Sequence, residues 1–489
     1  GRASTDPFIQ AEMGKSPTKV ASKPPRATRG ASGLKKKKPR QHDEKGLAAA
    51  RKATTMSLAQ WKKFQVGMAE KWPAPAYMSD PHPEGKGHTC YRDETFEIVT
   101  RFQASTRIAY RPHAKSPGGA HGSKSHVRYE KYAKAKTVGQ ALRLDCFPVD
   151  WCWDYERGFI KVISGLRDEP IDITEVEDET KLTEVDKKVM YWAKKEISHR
   201  FGLTMAELMS NKGAGEGLIL RAHRLVAQRE AKKILASKRV VTDDDVTTVL
   251  SNWGFARNIG RQNVMQEGKN WVWSDTLGLL RDRMGDIHIT APAKAYPEVM
   301  EVINRWLLDR LPPEAAGFSW TSLNLNKDYA ARIHRDGNNF GPSMISAFGN
   351  FEGGGLRYYP DDNRKMELES LEEQKEAASQ KLDLKQGLAL FNGNCAHSVE
   401  DFSGNRFSVV YFTVGCHKQM KQEDRAELAA LRCNVPSPDL NPFQLIKPPA
   451  GYATNIKYKD MKAAASSSKA SAKWRYWKKR DLKAKPALS

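Results

Sequence analysis

The apolar and polar positions of this chain follow more than one period. Over residues 183–252 the apolar positions recur at helical spacing: Val189, Trp192, Ala193 and Ile197 share a face, and the pattern resumes over 218–235. Asp243 to Asp245, just before Val246, predict another helix start. Further helices are expected over 274–284 and over 297–311, the latter stopped by Pro312-Pro313. From Trp320 the period changes to two. Ser322-Leu323-Asn324-Leu325-Asn326, Leu382-Asp383-Leu384-Lys385 and Arg406-Phe407-Ser408-Val409-Val410-Tyr411-Phe412 alternate. Turn clusters at 336–339, 352–355, 392–394 and 403–405 separate them, which reads as an all-β barrel or jelly roll. Residues 362–380, rich in Glu and Lys and prone to helix, interrupt the pattern as a surface insertion. Upstream, 83–170 is mixed. Residues 95–108 read as extended, a Gly/Ser/Pro loop follows at 116–125, and Phe147-Pro148-Val149-Asp150-Trp151-Cys152-Trp153-Asp154-Tyr155 reads as the core of a small module.

Composition narrows the class. The chain has 489 residues, enough for two to four domains, and no run of about 18 apolar residues, which excludes a transmembrane helix. Six cysteines without a CxxC pair argue against a disulfide scaffold and for a reducing intracellular compartment, the nucleus among them. The chain starts at Gly1, so a targeting segment ahead of it is expected to be missing. The net charge of +22 is unevenly placed: residues 1–60 carry +10 and residues 456–489 carry +9, leaving +3 between them. Both ends are poor in apolar residues and are expected to be disordered basic tails. The run at 35–40 (Lys-Lys-Lys-Lys-Pro-Arg) suits a nuclear address, a phosphate-binding arm or a solubilising tail. Lys473-Trp474-Arg475-Tyr476-Trp477-Lys478-Lys479-Arg480 interleaves aromatics with cations, which suits single-stranded nucleic acid or docking on the chain's own core.

Three motifs are read as structural. Gly213-Ala214-Gly215-Glu216-Gly217 has no strand leading into it, and Glu216 would repel a phosphate. Glu196 and His199 lack a second such pair, and His82, His88 and Cys90 lack a fourth zinc ligand.

Within the period-two region stands Ile333-His334-Arg335-Asp336-Gly337. On extended backbone, residues i and i+2 face one side, so His334 and Asp336 can share one ion. His397 follows 61 residues after Asp336. Two imidazoles and a carboxylate on one face of a metal leave the opposite positions open, as non-haem Fe(II) oxygenases require. Arg406 and Ser408 then lie two apart on one strand, where a guanidinium fork and a hydroxyl suit a carboxylate.

These blocks carry a resemblance. His334-Arg335-Asp336, Phe351-Glu352-Gly353-Gly354-Gly355-Leu356, Lys385-Gln386-Gly387-Leu388-Ala389-Leu390-Phe391, and His397-Ser398-Val399 followed by Gly404-Asn405-Arg406-Phe407-Ser408 run in one order. In that order residues 316–416 resemble the Fe(II)/2-oxoglutarate-dependent dioxygenases, in particular their prolyl-4-hydroxylase-like branch. The resemblance implies an α+β fold with a double-stranded β-helix catalytic domain and flanking helices. It implies Fe(II) on His334, Asp336 and His397, and the distal carboxylate of 2-oxoglutarate on Arg406 and Ser408. It also implies co-substrate contacts from the strand of Asn324 and Asn326. Related enzymes place a tyrosine near there, and Tyr329 is the alternative. With O2, the implied reaction decarboxylates 2-oxoglutarate to succinate and CO2 and hydroxylates a substrate C–H bond.

The expected organisation is a basic tail (1–60), a mixed α/β module (61–180), a helical region (181–295), the dioxygenase domain (296–420) and an extension with a basic aromatic tail (421–489). The expected substrate is a macromolecule, either a protein side chain such as prolyl or a nucleic-acid base, with nucleic acid held by the tails. The alternative is a nucleic-acid-binding scaffold with an inert dioxygenase fold.

Overall fold

A computed structural model describes residues 43–79, 91–119, 122–173, 180–209, 216–452 and 459–482. The strands, in chain order, are β1 (Arg107–Tyr110), β2 (Ile160–Ser164), β3 (Arg257–Asn258), β4 (Val272–Arg281), β5 (Ile287–Ile289), β6 (Ser322–Lys327), β7 (Ser343–Phe348) and β8 (Phe351–Gly353). They continue with β9 (Leu356–Tyr358), β10 (Gln380–Leu382), β11 (Gly387–Phe391), β12 (His397–Val399), β13 (Phe402–Gly404), β14 (Phe407–Phe412) and β15 (Arg475–Lys478). The main sheet runs β15-β11-β7-β14-β6-β4-β3, with β5 joined to β4; a smaller sheet runs β10-β9-β12. Pairing is antiparallel throughout.

Alternation along each strand divides the main sheet into two buried faces. Leu323 and Leu325 of β6, Met344 and Phe348 of β7, Leu388 and Leu390 of β11, and Val409 and Tyr411 of β14 enter one core with the helices. Ile345, Ala347, Ala389 and Phe391 face the opposite way and meet Leu356 and Tyr358 of β9 in the smaller sheet. Helix Pro297–Leu308 covers the first face: Tyr411 Oη donates to the Ile303 carbonyl (2.8 Å) and Trp306 packs edge-on against Phe348. Fully buried side chains of this size contribute about 1.5–3 kcal/mol each, so the helix is integral to the sheet.

The helices expected between 183 and 252 form as Glu184–Phe201, Leu218–Ala236 and Asp243–Asn252. Thr183 and Thr242 cap the first and last, and Gly202 ends the first in the left-handed conformation. Short helices Leu368–Glu373 and Lys375–Ala378 occupy the acidic insertion.

Several expectations are corrected. Residues 274–284 are not a helix but lie mostly in β4, whose Leu277 and Leu279 enter the core while Ser274 faces the other way. With β3 and β5, β4 carries the main sheet back to residue 257, so the expected helical region over 181–295 ends early. Residues 95–108 begin as helix Asp93–Thr100, because Phe96 and Val99 are buried at helical spacing and Asp93 and Glu94 occupy the favourable first turn. The basic ends are not wholly disordered: helix Glu44–Ala53 lies inside the first, and β15 lies inside the last. Of the two readings of the aromatic–cation run, the structure takes docking on the chain's own core: it pairs with β11, setting Trp477 opposite Leu388. Beyond β15, Lys479 Nζ reaches Asp243 (2.7 Å) and the Ala347 carbonyl (2.8 Å) over the ring of Phe348. Of the remaining motifs, the run at 35–40, His82, His88, Cys90 and Gly213 to Gly215 fall outside the described residues, and Glu216 is buried against Arg224 and Tyr296. No helix among the described residues is long and apolar enough to cross a membrane.

Deleting residues 459–489 should therefore do more than remove charge. It uncovers the β11 edge and the Lys479 site, and should lower unfolding free energy by about 2–4 kcal/mol in urea titrations. Unchanged stability would mean that β15 contributes nothing to the sheet.

Candidate metal centre

The centre is assembled from backbone first. His334 and His397 exchange both main-chain hydrogen bonds (2.9 and 3.0 Å), which fastens the segment after β6 to the start of β12 and brings the imidazole centroids to 4.2 Å. Asp336 lies two residues on and donates its N–H to the Gly393 carbonyl (2.8 Å). Between the ligand candidates, Arg335 makes a two-pronged pair with Asp362 (2.7 and 2.8 Å), and Asp362 also accepts the Ala396 N–H (2.6 Å). One buried carboxylate thus ties together the chain on both sides of the site. Gly393 is required by close approach: a Cβ there would stand 2.8 Å from Asp336 Oδ2 and 3.0 Å from Asn339 Nδ2.

Hydrogen bonds set the protonation of both imidazoles. His334 Nδ1 lies 2.8 Å from the Arg332 carbonyl and His397 Nδ1 lies 2.9 Å from the Cys395 carbonyl. A carbonyl only accepts, so each Nδ1 carries a proton, and in the neutral ring each Nε2 keeps a lone pair for a metal. Burial, with the neighbouring His397, drives His334 down to about 3, which keeps it in the neutral, ligating form. Asp336 Oδ2 accepts from Asn339 Nδ2 (2.8 Å), while Oδ1 lies 3.8 Å from His334 Nε2. One atom from each of His334, Asp336 and His397 falls within 4.8 Å of the others, and no other such group of His, Cys, Asp or Glu occurs among the described residues.

Arg406, Ser408, Asn324, Asn326 and Tyr329 all line the same pocket as this cluster. Arg406 is fully buried at the entry to β14. Its Nη2 donates to the Gly354 carbonyl (3.1 Å), its Nε has no partner, and no carboxylate pairs with it among the described residues. Burial lowers it to about 10, so it stays charged. Gly354, at φ +65°, leaves room that a Cβ would take from Arg406 Nε. Tyr329 Oη donates to Asn326 Oδ1 (2.7 Å), and Asn326 Nδ2 donates to Ser408 Oγ (3.3 Å). The surroundings orient the Asn324 amide: its nitrogen donates to the Asp275 carbonyl (3.0 Å), and its oxygen accepts from Arg261.

Two contributors were not legible in the sequence. Arg261 enters the pocket from the connection between β3 and β4, 73 residues before His334, with no local motif around it. Asn339 orients Asp336 across a turn that reads as ordinary Asn/Gly punctuation.

No family model and no curated protein matches this chain. Among solved structures, the chain is similar to NgTET1 in complex with 5mC DNA, at 20% identity and a TM-score of 0.20, over 29% of this chain and 60% of that one. It is also similar to an oxidoreductase of the 2OG-Fe(II) oxygenase family from Burkholderia pseudomallei, at 12% identity and a TM-score of 0.21, over 38% and 88%. Similarity this low assigns neither activity nor substrate, and the chain spans only part of the first structure.

The geometry makes its own prediction. The purified chain should bind one Mn(II) or Co(II), and His334→Ala or His397→Ala should abolish binding in isothermal titration. Asn339→Ala should weaken it by about 10–100-fold, because Asp336 loses its orienting donor. Wild-type affinity in Asn339→Ala would remove Asn339 from the site.

Proposed function

We propose that this chain is an Fe(II)- and 2-oxoglutarate-dependent dioxygenase that hydroxylates a C–H bond of a macromolecular substrate, a protein side chain such as prolyl or a nucleic-acid base. One observation carries the reading. Two Nε2 lone pairs and an oriented carboxylate share a pocket with a buried guanidinium that no carboxylate among the described residues pairs with directly. A buried cation costs several kcal/mol without an anion, so Arg406 calls for an anionic ligand, and its planar fork suits a carboxylate. The two facing antiparallel sheets, with the cluster between them, support a double-stranded β-helix.

In this reading His334, Asp336 and His397 hold the metal from one side. Arg406 and Ser408 take the far carboxylate of 2-oxoglutarate, while Asn326 and Tyr329 line the path between. Arg261 adds a second cation, held by Asn324. Ile345, Leu356, Phe391 and Val410 supply apolar walls that exclude water. Fe(II), when bound, supplies the coupling of 2-oxoglutarate and O2 consumption to substrate hydroxylation, releasing succinate and CO2.

Protein supplied with Fe(II), 2-oxoglutarate and pooled nucleic acid and peptides should form succinate, and His334→Ala should not. No succinate with any pool would favour the inert-scaffold reading. Arg406→Ala should raise the 2-oxoglutarate concentration needed for half-maximal turnover by about 100-fold or more while metal titration stays near wild type. Loss of metal binding in that variant would overturn the role given to Arg406.

A further inference from the structure

Beside the candidate metal pocket, on the same face of the main sheet, lies a second and more open cavity of about 480 Å³ bounded by β3, β4 and the turn into β5. The two are neighbours through sheet register. Ser274 and Thr276 of β4 line the second cavity and pair with Asn326 and Asn324 of β6, which line the first. The segment 258–264 connects them, supplying Asn258 and Gly260 to one and Arg261 to the other.

Three arginines are gathered along that segment without carboxylate partners among the described residues. Arg283 lines the open cavity, and a Cβ at Gly260 would stand 3.6 Å from its Nη2. Arg261 enters the metal pocket. Arg332 donates to the Gln262 carbonyl (2.9 Å) and the Asn263 carbonyl (3.2 Å). Several other arginines of the chain are paired with carboxylates, as in Arg200–Asp93, Arg224–Asp275, Arg239–Asp245, Arg335–Asp362 and Arg357–Glu400. Of the acidic groups near the cavity, Asp275 pairs with Arg224, and Asp282 takes the Asp286 N–H and faces His288 at 3.9 Å. Exposed apolar side chains stand among these cations, Ile259 at 67% and Met284 at 88% exposure.

We propose that the cavity and the 258–264 segment form a phosphodiester-binding track that leads a single nucleic-acid strand towards the candidate metal pocket. Guanidinium forks along one segment suit successive phosphates, and Ile259 and Met284 offer apolar contact between them. An acidic peptide would meet the same cations, and competition by polyglutamate tests for it. The proposal names the substrate class for the enzyme reading above and rests on that reading for its purpose, although binding itself does not require turnover.

The test is fluorescence anisotropy of the full chain with a labelled 15-nucleotide single strand across a salt series. The basic ends are common to every variant, so differences report the track. Arg283→Glu and Ile259→Glu should each weaken binding about tenfold, and Arg283→Glu should lower the salt slope by about one. Lys194→Glu, a surface reversal on helix Glu184–Phe201, should change neither. The proposal is overturned if Arg283→Glu behaves like Lys194→Glu. It is equally overturned if polyglutamate of matched charge displaces the strand as well as unlabelled oligonucleotide does. Displacement by inorganic phosphate at equal phosphate concentration would reduce the track to a free-phosphate site. Succinate formation is measured separately, so a strand-binding chain that makes no succinate would retain the track and lose the enzyme reading.

Discussion

The rest of the structure depends on one constraint: the central strands of the main sheet are buried on both faces. Helices cover one side and the β10-β9-β12 sheet covers the other, so β6, β7, β11 and β14 have no solvated face on which to discard polar residues. A polar side chain pointing between the sheets must find a partner or serve a ligand. Asn324, Asn326 and Ser408 occupy such positions, and each is engaged by its neighbours around a single pocket. The site is the one stretch where apolar filling of the inter-sheet space gives way to chemistry.

The same constraint gives the buried charges their meaning. Arg335, partly buried, and Arg406, fully buried, both flank the pocket, yet they are treated differently. Arg335 is neutralised by Asp362, whose second task is to hold Ala396 next to His397. Arg406 is given a carbonyl and two aromatic rings, and no carboxylate forms a salt bridge with it among the described residues. The first arrangement is architectural and self-contained; the second leaves part of the guanidinium facing the pocket. The paired Nδ1 contacts have the same character, since they fix two imidazoles in the one tautomer that presents lone pairs together.

Much of the candidate site was legible because strand periodicity is local. His334 and Asp336 two apart, and Arg406 and Ser408 two apart, carry their own geometry. The same reasoning failed where short apolar runs were ambiguous. Over 274–284 the mixture of Leu, Asp and Arg is compatible with a helix, and only pairing with β6 on one side and β3 on the other makes it β4. The aromatic–cation run near the C-terminus suits either a nucleic-acid-binding arm or a segment docked on the core by composition. It is an edge strand because β11 presents an unpaired edge that Arg475–Lys478 can complete.

The sequence by itself determined the residue types and local spacing of the candidate ligands, the helices over 184–252, and the concentration of charge at the two ends. Those are properties of neighbours along the chain, where backbone geometry alone dictates which side chains share a face. The tertiary structure decided the rest: that His397 meets His334 through a main-chain bridge, that Arg261 reaches the pocket from 73 residues away, and that uncompensated arginines gather along 258–264 although the intervening chain is nearly neutral overall. The reason is physical. Charge and coordination act through space over a few ångströms, and only sheet register brings distant segments to that range.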